Sequence, residues 1–135
     1  CFGAVFLVWH PTKYAEMLGE KLREHGSHVW LLNTGWSGGP YGVGARMKLA
    51  HTRAMVRAAL SGRLDGVATR PDPVFGLAVP TAVPGVPDAV LDARGTWSDP
   101  AAYDAQAARL AEMFRQNIRK FGDGVSAAIQ GAGPK

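Results

Sequence analysis

Apolar and polar positions alternate with helical period in three stretches of the chain. Tyr14, Met17, Leu18 and Leu22 fall at i, i+3, i+4 and i+8, while Lys13, Glu16, Glu20, Arg23 and Glu24 fill the other face. That spacing predicts an amphipathic helix opened by His10-Pro11-Thr12 and stopped at Gly26. Proline suits the first turn, where its missing N–H has no partner to lose. A second helix is predicted from Leu49 to Leu60, with Met55, Val56, Ala59 and Leu60 on one face and Gly62 as its stop. The third is the clearest: Asp99 caps, Pro100 follows, and Tyr103, Ala107, Leu110, Phe114, Ile118 and Phe121 recur at three or four residues up to Gly122.

Two runs lack that period. Phe2 to Trp9 is continuously apolar and reads as a strand or a buried loop, and His28-Val29-Trp30-Leu31-Leu32-Asn33 reads as a buried strand. Helix followed closely by strand indicates an α/β fold. Between them and the later elements lie two irregular segments. Residues 34–45 hold five glycines and a proline, a loop with no regular element expected. Residues 70–87 hold five prolines (Pro71, Pro73, Pro80, Pro84, Pro87), an extended traverse with one edge strand at most, around Phe75 to Val79. Asp72 and Asp88 read as turn formers, and the tail after Gly122 is weakly specified.

Composition narrows the class. The chain has 135 residues, 47% hydrophobic and 19% charged, with 17 glycines and 9 prolines, about a fifth of the total. Disordered chains begin near 25–30% Gly and Pro, so this is one folded domain rich in loops. The single cysteine, Cys1, excludes a disulfide framework. No apolar run approaches the roughly 20 residues of a membrane helix, and the start lacks the basic region of a signal peptide. Because the chain opens on Cys1 inside an apolar run, the expectation is a piece of a longer polypeptide. Its net charge of +4 and pI near 9.6 suit an anionic ligand without requiring nucleic acid.

The glycine-rich loop with Arg46 behind it is the main candidate for chemistry. Glycine lets backbone N–H groups approach an anion or a flat ring. Gly39-Pro40-Tyr41-Gly42-Val43-Gly44 has the G-x-x-x-x-G frame of a phosphate loop, but Ala45-Arg46 stands where Lys-Ser/Thr is required. On spacing alone a structural turn is the favoured reading. Arg46 can stack on a base or pair with phosphate and Thr52 can bond a ring nitrogen; by themselves the residues favour two surface positions instead. His10, His25, His28 and His51 lack metal-ligand spacing. Trp30, Trp36, Trp97 and Tyr41 read as core or loop anchors before base-stacking platforms. Arg115, Arg119 and Lys120 near a helix end are accounted for by the helix dipole.

Several stretches nevertheless resemble, in order, the ATP-dependent phosphoenolpyruvate carboxykinase family. They are Cys1-Phe2-Gly3-Ala4, His10-Pro11-Thr12-Lys13-Tyr14-Ala15, Asn33-Thr34-Gly35-Trp36 running through Gly44, Arg46-Met47, and Thr52-Arg53-Ala54-Met55. Pro71-Asp72-Pro73-Val74-Phe75-Gly76-Leu77, Val83-Pro84-Gly85-Val86-Pro87, Thr96-Trp97 and the helix from Tyr103 to Phe121 continue it. The resemblance implies an α/β chain forming part of the C-terminal mononucleotide-binding domain of that fold: residues 1–135, with the glycine-rich loop 34–45, the proline-rich traverse 70–87 and the helix 99–121. It also implies conversion of oxaloacetate and ATP to phosphoenolpyruvate, carbon dioxide and ADP, in gluconeogenesis in the cytoplasm, with Mg²⁺ and Mn²⁺ in the full-length enzyme.

Carried over by position, the resemblance sets Arg46 against the nucleotide, the Met47 main chain against adenine, and the Thr52 side chain in a bond to the base. No catalytic residue and no metal ligand is carried over, since the family's phosphate loop, Mn²⁺ ligands and oxaloacetate-binding arginine have no match here. The chain alone is therefore expected to be inactive. Residues 92–97 depart from the family's pattern, and a looser turn is expected there; Ala45 replaces a common Lys or Ser. The alternatives are a non-catalytic nucleotide-binding or interaction piece, and a basic nucleic-acid module, against which the charges are dispersed.

Overall fold

The computed structural model describes residues 3–135. Three helices form where local signals specify them. Helix α1 spans Pro11–His25 and ends at Gly26, whose left-handed conformation (φ 59°) lets its N–H reach the Leu22 carbonyl. Helix α2 spans Leu49–Leu60. Two short antiparallel ribbons flank it: β1 (Trp36–Ser37) with β2 (Ala45–Arg46), and β3 (Thr69–Pro71) with β4 (Ala78–Pro80). A short helix α3 (Asp88–Leu91), the long helix α4 (Pro100–Arg119) and a last turn α5 (Ala127–Gly131) complete the chain. The result is a mixed helix-and-sheet structure whose strands lie in two separate pairs.

The core is small. Met55 and Ala58 of α2 pack with Leu64, Val83 and Val86, and Trp30, Met47, Ala54, Val90 and Leu91 lean on this cluster. The buried face of α2 is thus Met55 and Ala58, not the predicted Val56 and Leu60, which face solvent. Helix α4 buries only Ala107 and Ala111, while Phe114 is half exposed. Small residues on that face let the helix approach its neighbours closely.

Five expectations need correction. The apolar start carries a 3₁₀ turn, Ala4–Phe6, and Val5, Phe6, Val8 and Trp9 are exposed; Phe2 lies outside the described residues. Residues 28–33 form no strand: among the described residues their backbone groups make no backbone–backbone hydrogen bonds, and Val29 is 60% and Leu31 77% exposed. A run apolar on both faces needs a neighbouring strand on each edge and cover above and below, and no described residue pairs with this run as a strand. The glycine-rich loop is not wholly irregular, because its ends pair as β1 and β2. The proline-rich traverse holds two strands, since Pro71 and Pro80 sit at strand ends where a missing N–H breaks no ladder and the other prolines lie outside the strands. Asp88 begins a helix, whereas Asp72 does form a turn, accepting from the Val74 and Phe75 amides.

The turn at 92–97 is tight rather than loose. Thr96 N–H donates to the Asp92 carbonyl (3.1 Å), the Thr96 hydroxyl donates to the Ala93 carbonyl (2.7 Å), and a side chain at Gly95 would run into the Asp92 carboxylate. Beside it Arg94 donates from Nε and Nη2 to the two Asp104 oxygens, both at 2.8 Å. These bonds raise the Arg94 pKa and hold the Asp104 carboxyl below its usual value. The anchorage of α4 is therefore complete at neutral pH and is lost as pH falls through the lowered Asp104 pKa, below the usual carboxylate range. At the other end Arg115 bonds Glu112 and the Lys135 carbonyl, so more than the helix dipole accounts for it.

Asp99 caps α4 by accepting from the Ala101 and Ala102 amides. Asp99→Ala is expected to destabilise the chain by about 1 kcal/mol in urea unfolding.

The solvent-accessible surface is 10078 Å². A compact protein of 14.3 kDa exposes about 6,800 Å². Apolar side chains contribute to it: Leu18, Leu31, Leu60 and Met113 all face water. Alone, the chain is accordingly expected to melt broadly; a sharp calorimetric transition above about 60 °C would contradict this.

Candidate functional site

The glycine-rich segment is built as a hairpin whose strands place Trp36 opposite Arg46 and Ser37 opposite Ala45. Its tip turns at Pro40, whose carbonyl accepts from Val43 (3.0 Å) and Gly44 (2.9 Å). Glycine is required at position 44 for space, since a Cβ there would overlap the Gly39 and Ser37 carbonyls. Gly39 adopts φ 152° and is buried against that crossing. The hairpin is tied to the 92–97 turn by the Gly38 N–H, which donates to the Thr96 hydroxyl at 3.2 Å.

The chain leaves the hairpin at Arg46, passes Met47 and enters α2 after Lys48. Met47 N–H donates to the Gly35 carbonyl (3.0 Å), which leaves the Met47 carbonyl as the main-chain group able to accept from a ligand. Its side chain leans on the core and lines an apolar cavity of ≈ 500 Å³ with Trp30, Trp36, Met55, Trp97 and Leu110. Arg46 is exposed, and its Cζ lies 5.8 Å from the centre of the Trp36 ring. Thr52 sits half-buried in the first turn of α2. Of the three carried-over residues, Met47 alone lines the cavity; Arg46 and Thr52 lie outside it, on the junction between hairpin and helix, and no hydrogen bond joins them.

The junction is electropositive. Between Glu24 and Asp65 the sequence has no carboxylate, while Arg46, Lys48, Arg53, Arg57 and Arg63 all fall in that interval. Among the described residues none of these five pairs with an acid, whereas Arg70, Arg94 and Arg115 elsewhere do. An unneutralised patch on a helix and its approach favours an anionic ligand. Sequence reasoning missed Trp36 as the partner of Arg46. The signal was present as apolar and basic residues ten apart around a glycine-rich turn, but register across a loop of that length is not readable from spacing.

Among the described residues no group of three or more His, Cys, Asp or Glu could hold a metal ion. The described residues therefore offer no complete site for the divalent cations implied by the resemblance. No helix among them is long and apolar enough to cross a membrane.

The sequence profile of the phosphoenolpyruvate carboxykinase family matches residues 1–89. The chain belongs to this family. It is 60% identical over 132 residues to phosphoenolpyruvate carboxykinase (ATP) of Rubrobacter xylanophilus, a match covering 98% of this chain and 25% of that protein. The same-named protein of Geobacillus kaustophilus is 61% identical over 121 residues, 90% of this chain and 23% of the relative. That of Thermus thermophilus is 55% identical over all 135 residues, 26% of its own length. The chain thus spans about a quarter of the length of the curated carboxykinases it matches.

Proposed function

We propose that these residues work as part of an ATP-dependent phosphoenolpyruvate carboxykinase and supply one wall of its adenine-nucleotide pocket. The whole enzyme would convert oxaloacetate and ATP to phosphoenolpyruvate, carbon dioxide and ADP in the cytoplasm, as a step of gluconeogenesis. Its divalent cations, Mg²⁺ and Mn²⁺, would be held by residues outside this chain. The observation that carries the reading is that the family match spans Arg46, Met47 and Thr52 together.

In this reading the chain binds and orients the nucleotide. The Arg46 guanidinium lies against it and partners its negative charge, the Met47 carbonyl accepts from the exocyclic amine of adenine, and the Thr52 hydroxyl donates to a ring nitrogen. A guanidinium suits this task because it stays charged at all working pH values and offers a flat face to a flat ring. The domain boundaries follow: loop 34–45 and the start of α2 form the nucleotide side, while the 70–87 traverse and helix 99–121 brace it.

Titrating the chain with ATP and with a random oligonucleotide at two salt concentrations tests the reading. ATP binding is expected to persist at the higher salt. Oligonucleotide binding that is tighter than ATP and collapses steeply with salt would instead support a nucleic-acid module.

A further inference from the structure

We infer that Trp36 is a positioning residue for the nucleotide: it forms the platform that holds Arg46 in its binding orientation, an inference that rests on the nucleotide reading above. The two residues face each other across β1 and β2, and the guanidinium carbon stands 5.8 Å from the indole centroid, within cation–π range. Among the described residues no carboxylate fixes Arg46, so the ring is what limits its rotamers. A free arginine gives up much side-chain entropy on binding a ligand, and a guanidinium already laid on an aromatic face gives up less.

The platform itself is held. Tyr41 meets Trp36 edge-on, with ring centres 5.2 Å apart and planes at 86°, an arrangement favoured by the ring quadrupoles. The backbone beneath is fixed by the Gly39–Gly44 crossing and by the Gly38–Thr96 bond. Leaving Arg46 unpaired by an acid serves binding as well as geometry. A carboxylate would hold the guanidinium equally firmly but would cancel the charge that a nucleotide needs to meet; an aromatic face orients it and leaves its charge and its second face free.

The test places this chain in the Thermus thermophilus enzyme in exchange for the matching residues, with NMR detection of the Arg46 Nε–Hε signal and an ATP titration. Trp36→Leu is expected to move that signal to the position of an unrestrained arginine and to weaken ATP binding about 2- to 5-fold. Trp36→Phe, which keeps a ring face, is expected to restore most of both, while the amides of α1, which does not line the cavity beside Trp36, stay unshifted in either variant. A Trp36→Leu chain with its Arg46 signal and ATP affinity unchanged overturns the inference, as does Trp36→Phe behaving like Trp36→Leu. Arg46→Gln separates the two levels. If it leaves ATP affinity unchanged, the nucleotide site itself is refuted; if it weakens binding and Trp36→Leu does not, only the platform is.

Discussion

Purified alone, the 135-residue chain is expected to form no phosphoenolpyruvate from oxaloacetate and ATP above the uncatalysed rate. Two features of the molecule dictate this. Phosphoryl transfer depends on positioning and on charge stabilisation at the transferred group, most of it from bound cations, and no acidic or histidine cluster among the described residues can hold one. Nor would a nucleotide at the junction be enclosed: Arg46 is exposed there, and the surface exceeds that of a compact protein of this mass by roughly half. Water therefore reaches any ligand and weakens each electrostatic contact with it. The complementary experiment exchanges the matching 135 residues of the Thermus thermophilus enzyme for this chain. Turnover is expected to return in the chimera, and its absence there would count against the carboxykinase reading. Turnover by the chain alone would refute this account of what it lacks.

In that chimera Arg46→Gln is expected to raise the KM for ATP by at least about tenfold. A charge-assisted bond to a ligand contributes about 1.5–3 kcal/mol, and about 1.4 kcal/mol corresponds to each factor of ten. Glutamine keeps a planar polar end but removes the charge, so the loss measures the charge rather than the bulk. If, as proposed, Arg46 meets the nucleotide and not oxaloacetate, KM for oxaloacetate is expected to hold steady. Equal loss toward both substrates would point to a collapsed hairpin instead, and the Gly44→Ala variant, which forces that crossing apart, gives the reference pattern for such a collapse.

The helices were legible because their signals are local. Pro11 and Gly26 bound α1, and Asp99-Pro100 starts α4 with an oxygen and a ring that act within three residues. What burial each helix achieves was not legible. On the predicted faces Met17 and Leu18 of α1 and Phe114 of α4 stay exposed, whereas Tyr14, Leu22, Tyr103, Ala107 and Ile118 are at least partly covered, and a hydrophobic stripe records a contact without identifying it. The strands show the same division more sharply. The run at 28–33 carries the composition of a buried strand yet finds no edge to pair with among the described residues, whereas Pro71 and Pro80 sit at opposite ends of a ribbon that proline content argued against. Strand formation is decided by what lies alongside, which local pattern does not contain.

The candidate site divides likewise. Residue chemistry alone ranked Arg46 and Thr52 as surface positions, and only the resemblance gave them roles. The tertiary pairing of Arg46 with Trp36 then came from the hairpin register, a consequence of how five glycines turn.

The central claim is that a purine is held where the hairpin passes into α2. Photolabelling the chimera with 8-azido-ATP, followed by mass spectrometric location of the adduct, tests it most directly. The label is expected within residues 45–53 and is expected to vanish when excess ATP competes. An ATP-protected label that falls entirely outside this chain would contradict the account.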